Sequence, residues 1–510
     1  MQIRGNFPGG LAIALSAAIL VTAFFVAAAT AQDSDRRGDY SRDDHRAGGL
    51  RGGFGTGLAV GFGGALLQGL ANRPATDTNP DQPATKKSKA AKKDSTASPQ
   101  LSRRDADDKS GAKANSQRGG GSAGGSGVPP RGERRYIADE IITQFAPATP
   151  QSTIDQIARR YNLTLLESQD FALLGGTLHR WRVAGGRPLA DVIGALEGER
   201  AVASAQPNYV FTLQDDVETA ATVAGDPAQY ALAKLHIREA HQFATGKQVT
   251  LAMIDSEVDV QHPDLTGTVA KSFDALGGGD VPHKHGTGMA GAIAAHGRLL
   301  GSAPDVQLLI ARAFDDGAEA KGTTFAVLKA LEWVTDNGAR VVNMSFAGPA
   351  DPAMHRMLAI MSGKDVVLVA AAGNAGPKSA PLYPAAEPEV IAVTATDSDD
   401  TVFKMANRGD YIAVAAPGVD VLVTGPAATY GFTTGTSVAT AEVSGVVALL
   451  LERNPALKPA EIRSILTKSA TPIGSDIRHE DLGAGLANAY QAVVSLPGKT
   501  VGDEAGRLKQ

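Results

Sequence analysis

Five short apolar runs, Val249–Ile254, Val306–Ala311, Val341–Phe346, Val366–Ala371 and Val390–Ala395, follow one another with helical patterns such as Thr324–Thr335 and Ser437–Arg453 among them. Runs of this kind suit strands that are covered on both faces, and strands joined by crossover helices must lie parallel. Residues 226–495 therefore read as one α/β domain with a doubly wound parallel sheet. In such a sheet, ligands bind at the carboxyl ends of the strands.

Upstream, the periodicity changes. Strand-like Ile137–Phe145, helix-like Gln151–Tyr161, strands near Leu163–Ser168 and Thr177–Val183, a helix near Leu189–Leu196 and a strand at Val202–Phe211 alternate as β-α-β-β-α-β. That order predicts a small ferredoxin-like α+β domain over residues 136–214. The intervening stretch, residues 215–225, is polar and rich in small residues, as expected of an accessible linker. Residues 496–510 form a tail.

The 510 residues are 43% hydrophobic and 20% charged, a balance that suits a globular enzyme rather than a disordered chain. Cysteine is absent, which rules out disulfides and thiolate metal sites. Arg4 precedes the uncharged stretch Leu11–Ala29, and Ala29-Thr30-Ala31 has small-residue spacing. Residues 1–31 thus read as a signal peptide or an uncleaved anchor, and the protein as secreted, periplasmic or held at the envelope. Residues 32–135 combine a glycine-rich stretch, Gly52–Ala71, which reads as a low-complexity spacer or as a membrane helix with packing glycines, with a basic segment, Asn72–Arg135, that carries fourteen Lys and Arg against seven Asp and Glu. This segment has too few large apolar residues for a core and is expected to be a disordered linker. It allows membrane or envelope association, and nothing in the chain suggests nucleic acid as a partner.

Three residues in the α/β domain are candidates for chemistry as a set, although alone Asp255 also reads as a turn or cap residue, His285 as a packed or solvated histidine and Ser437 as a helix N-cap. Asp255 ends the first apolar run, His285 opens a helix-like stretch, and Ser437 begins the helical pattern that follows Gly435. A serine hydroxyl is a weak nucleophile at neutral pH; it needs an imidazole to take its proton and a carboxylate to orient that imidazole. Asn374, in Ala371-Ala372-Gly373-Asn374 after the fourth apolar run, is suited to donate to a developing oxyanion.

The motifs around these residues, His285-Gly286-Thr287-Gly288 and Gly435-Thr436-Ser437-Val438-Ala439, and the order Asp, His, Ser resemble the subtilases, the subtilisin-like serine peptidases. The resemblance implies a serine endopeptidase with Asp255, His285 and Ser437 as its triad and Asn374 in its oxyanion hole. It implies polypeptide substrates that bind as an added strand between Ala320-Lys321-Gly322 and Ser345-Phe346-Ala347-Gly348. Phe346 would line the pocket for the residue before the cut or pack in the core, and Lys321 would favour an acidic residue or simply be solvated. The position of residues 136–214 and the ending Ala205-Gln206-Pro207-Asn208-Tyr209-Val210 are similar to a subtilase propeptide, which implies a self-processed zymogen inhibited by its own propeptide domain. The reading from another class is a catalytically weak subtilase-fold binding protein tethered at the envelope.

Glu257, Gly288 and Ala441-Glu442 depart from the commoner family pattern. A carboxylate at Glu442, five residues beyond Ser437 on the same helix, is expected to favour a charged histidine in the site. The turn His296–Gly301 lacks the oxygen ligands of a calcium loop, and Asp397, Asp399 and Asp400 read as a solvated turn. No metal or other cofactor is expected.

Overall fold

A computed structural model describes residues 125–214, 228–279, 281–317, 319–474 and 479–497, all within one compact unit, Lys113–Gln510. The signal or anchor segment, the glycine-rich stretch, the basic segment as far as residue 124, the linker 215–225 and the tail beyond residue 497 lie outside the described residues. No helix among the described residues is long and apolar enough to cross a membrane.

The first domain runs β1 (Tyr136–Phe145), α1 (Gln151–Tyr161), β2 (Leu163–Phe171), β3 (Gly176–Val183), α2 (Leu189–Glu197) and β4 (Val202–Leu213). Its antiparallel sheet has the order β4-β1-β3-β2. Because side chains alternate along a strand, neighbours serve different cores. Ile141, Trp181 and Val183 pack beneath Ile154 and Ile157 of α1 and Val192, Ile193 and Leu196 of α2, whereas Ile142, Phe171, Leu178 and Tyr209 join the core of the larger domain. Residues 125–135, read from sequence as the end of the linker, lie on this domain. Val128 packs against its core, and Ser126 Oγ and Gly127 N donate to the Glu197 carboxylate.

In the larger domain two short helices, α3 (Tyr230–Lys234) and α4 (Ile237–Ala240), precede β5 (Thr250–Asp255), β6 (Val269–Asp274), α5 (Lys284–Ala294), β7 (Gln307–Arg312), β8 (Lys321–Thr323) and α6 (Thr324–Asp336). Next come β9 (Val341–Met344), β10 (Phe346–Ala347), α7 (Pro352–Gly363), β11 (Val367–Ala371), β12 (Val390–Thr396) and β13 (Ile412–Pro417). A hairpin, β14 (Val421–Gly425) and β15 (Thr429–Thr433), leads into the long helix α8 (Thr436–Arg453), and α9 (Pro459–Ser469), α10 (His479–Leu482) and α11 (Ala489–Val494) finish the described chain.

Seven strands form a parallel sheet of order β13-β12-β11-β9-β5-β7-β6. Leu251 and Met253 face a core built with α5 and α8, while Ala252 and Ile254 face one built with α6 and α7. The two-sided burial expected from the apolar runs follows from this layering. Two strands of this sheet escaped the sequence pattern, and both sit at its edges. β6 has mostly exposed or half-buried residues, as an edge strand allows. β13 is Ala-rich, a composition with weak strand preference.

β5 lies where the winding reverses, with β7 on one side and β9 on the other. Its last residue is Asp255. The second half of β4 leaves the small domain's sheet and pairs antiparallel with both β8 and β10.

Candidate active site

The site gathers at the carboxyl ends of the parallel strands. Asp255 is fully buried, and its Oδ1 accepts from the backbone N of Ser256 at 2.7 Å and lies 2.7 Å from His285 Nδ1. His285, in the first turn of α5, is 3% exposed. Its Nε2 is 3.1 Å from Oγ of Ser437, in the first turn of α8. With the carboxylate holding Nδ1–H, Nε2 is left as the acceptor that faces the hydroxyl. The three residues read from sequence as a triad thus meet in a connected chain, although the two ends of the His285–Ser437 contact are 152 residues apart.

Asn374 follows β11 through Gly373, whose φ of +105° suits glycine; a Cβ there would also stand 2.7 Å from Leu382 Cδ1. The Asn374 carboxamide is held by Thr436, whose backbone N and Oγ1 donate to Oδ1 at 3.1 and 2.9 Å. This leaves Nδ2 to donate outward, and it donates to the main-chain carbonyl of Gln214 at 2.7 Å. The same carbonyl oxygen is 2.9 Å from Ser437 Oγ. Thr436 was not singled out from sequence, where it reads as one more residue of a Gly-Thr-Ser motif.

Gln214 arrives here at the end of a strand inserted between two others. Phe211 pairs with Gly322, Thr212 with both Lys321 and Ala347, and Leu213 with Phe346. The segments read as substrate-binding therefore flank this strand. Phe346 is fully buried, its ring against Phe211 and Phe314 at centroid distances of 5.9 and 5.0 Å. It lines a pocket for the side chain of Phe211, three residues before Gln214. Gly348 opens that pocket, since a Cβ there would lie 2.2 Å from the Phe211 ring. Lys321 is exposed and paired with Glu319 at 2.5 Å. A cleft of about 1380 Å³ runs past His285, Asn374, Ala347 and the β14–β15 hairpin.

Buried polar groups complete the seam between the two domains. Asp351, which caps α7, is fully buried and accepts from Gln206 Nε2 at 2.8 Å and Thr324 Oγ1 at 2.6 Å. Burial pushes its pKa upward against these donors. Glu332 on α6 accepts from the backbone N of Ala172 at 2.7 Å, and burial raises its pKa as well.

Glu442 behaves differently from the sequence expectation. Its side chain points into the core on α8, 3% exposed, and Oε2 has no hydrogen-bond partner. Burial pushes the carboxyl up to about 8. At neutral pH it is protonated and uncharged, so it does not favour a charged His285; desolvation outweighs the proximity expected from helical spacing.

The turn after α5 is tied by a protein carboxylate, Asp264, which accepts from Arg298 N at 2.9 Å and Leu299 N at 2.7 Å. Asp397 accepts from Asp399 N and Thr401 N within its own turn, and Asp400 pairs with Lys234 at 2.9 Å. Among the described residues, His355, Glu387 and Glu389 have spacing that could hold a metal. His355 Nδ1 and Glu387 Oε2 already form a close pair at 2.6 Å.

Residues 246–485 match the model of the subtilase family. The chain is similar to thermitase of Thermoactinomyces vulgaris, 33% identical over 273 residues that make up 52% of this chain and 95% of thermitase. This chain is a subtilase. It is also 34% identical to subtilisin E of Bacillus subtilis over 301 residues, 56% of this subtilase and 76% of that protein. The crystal structure of fervidolysin from Fervidobacterium pennivorans, a keratinolytic enzyme related to subtilisin, shares the fold with a TM-score of 0.62 at 24% identity. The match covers 73% of this subtilase and 63% of that chain.

Proposed function

We propose that this subtilase is an exported serine endopeptidase, made as a precursor that cuts itself between Gln214 and Asp215 and is then inhibited by residues 136–214. The observation that carries the reading is the Gln214 carbonyl, held by Asn374 Nδ2 at 2.7 Å with Ser437 Oγ 2.9 Å away. A peptide carbonyl in reach of both nucleophile and oxyanion donor is poised for attack.

In this mechanism His285 Nε2 takes the Ser437 proton as Oγ bonds to the Gln214 carbonyl carbon. Charge builds on the carbonyl oxygen, where Asn374 Nδ2 already donates. Asp255, its Oδ1 on His285 Nδ1, stabilises the imidazolium. His285 then passes the proton to the Asp215 nitrogen, the C–N bond breaks and an acyl-enzyme forms. Water, deprotonated by His285, releases the Gln214 carboxylate. Other polypeptides would bind in the same way, as strands between β8 and β10, with an aromatic side chain in the Phe346 pocket.

Export rests on the signal-like segment read from sequence. Intact mass and amino-terminal sequencing of the secreted protein test the whole reading. A mature chain that begins at Asp215, and a Ser437→Ala precursor that stays whole, are expected. Normal maturation of Ser437→Ala would overturn self-processing, and an intact chain confined to the cytosol would overturn export.

A further inference from the structure

A second histidine stands beside the triad. His283 is the N-cap of α5, and its Nδ1 lies 3.3 Å from the backbone N of His285 and 3.0 Å from Ser256 Oγ. Ser256 Oγ in turn accepts from Gly286 N at 3.1 Å and is 3.1 Å from Asp255 Oδ1. The His283 backbone N donates to the Glu257 carbonyl at 2.9 Å, which ties the ring to the loop after β5. The ring borders the cleft and is half-buried.

An amide N–H only donates, so Nδ1 caps the catalytic histidine's own turn only while it is unprotonated. The Ser256 hydroxyl has one proton to give, to Asp255 Oδ1 or to His283 Nδ1. Protonation of His283 turns Nδ1 into a donor. His283 Nδ1 then no longer accepts from the His285 amide, the Ser256 proton is directed to Asp255 Oδ1, and a like charge sits two residues from the catalytic base. Each change lowers the capacity of His285 to take the Ser437 proton.

We propose that His283 is a positioning residue for this triad, competent only as the neutral imidazole, so that its protonation switches catalysis off. The proposal rests on the reading of Asp255, His285 and Ser437 as a peptidase triad. The groups that face His283 act in both directions. Burial first, and then the charges on His285 and Lys284, hold its pKa below the usual histidine value against the pull of Asp255 and Asp316. The switch therefore operates on the acid side of neutrality.

The test is the pH profile of kcat/KM for a short peptide substrate with the processed enzyme, alongside the rate of fluorophosphonate labelling. For the native enzyme, an acid limb steeper than a single ionisation, approaching a slope of two, is expected. His283→Leu removes the acceptor and should lower kcat on the alkaline plateau about tenfold with KM little changed, a loss of the order of one cap. His283→Asn restores a side-chain acceptor at the cap and should recover most of that loss, with an acid limb of slope one. The downfield proton resonance of His285 Nδ1–H should titrate with His283 in the native enzyme and not in His283→Asn. A native limb of slope one that superposes on that of His283→Asn would overturn the proposal and leave the peptidase reading intact. Failure of the native enzyme to label at Ser437 at any pH would instead overturn that reading.

Discussion

Thr436 fixes the orientation of Asn374: its backbone N and Oγ1 both donate to the carboxamide oxygen, and the same Oγ1 accepts from Gly373 N at 3.1 Å. The donor that meets the Gln214 carbonyl is thus held by its own domain, independently of the strand that carries Gln214; in the proposed reaction that is the condition under which a hydrogen bond lowers a barrier rather than merely aiding binding.

The first prediction follows from this pair. Asn374→Ala should lower kcat by about a hundredfold or more with KM nearly unchanged, a magnitude taken from the corresponding donor of subtilisin. Thr436→Val should lower kcat about tenfold through the freed carboxamide, of the order of one lost hydrogen bond. Steady-state kinetics on a peptide anilide checks both. A rise in KM without loss of kcat would make Asn374 a substrate contact instead.

Ser437→Ala should give a folded, uncut precursor with no probe labelling and only residual hydrolysis, because binding and the oxyanion donor remain. Circular dichroism and intact mass report the two halves of this statement separately.

Phe211 should be the main anchor of the inhibitory contact. Its ring is fully buried against Phe346 in a pocket that Gly348 keeps open. Truncating such an anchor costs about 2 kcal/mol or more. Phe211→Ala in residues 125–214, titrated into the mature enzyme, is expected to raise the inhibition constant about thirtyfold or more. Inhibition as strong as that of the native segment would place the binding energy elsewhere, in the Asp351 and Glu332 contacts.

Glu442 should make the fold less stable towards alkali. The folded carboxyl keeps its proton up to about pH 8, against 4.5 for the unperturbed group. The folded state therefore binds the extra proton between these values, and the contribution is complete below about 4.5 and lost as pH rises to about 8. Glu442→Gln, which has no proton to lose, should flatten this decline. In a Ser437→Ala background, free of autolysis, its Tm is expected to exceed that of the parent by several degrees at pH 9 and to lie close to it at pH 5. Parallel Tm profiles would refute the assignment.

Much of this architecture was legible because it is written in local patterns. Val249–Ile254 and Val366–Ala371 betray buried strands by composition, and α1 and α2 by their apolar spacing. Asp255, His285, Asn374 and Ser437 are each a weak signal alone; they stand out because all four fall in the order and local contexts that resemble the subtilase motifs. The edge strands β6 and β13 were illegible because half-exposed or Ala-rich strands lack that signature.

What only the tertiary structure decided concerns pairs far apart in the chain. The meeting of Gln214 with Ser437 spans 223 residues and that with Asn374 spans 160, and no periodicity encodes it. It arises because β4 runs on past its own domain into the gap between β8 and β10. Phe346 reads as either pocket lining or core until Phe211 is seen against it. Glu442 shows the limit most plainly: helical spacing puts it near Ser437, yet its charge depends on whether water reaches it, and burial within the packed core decides that it has none at neutral pH.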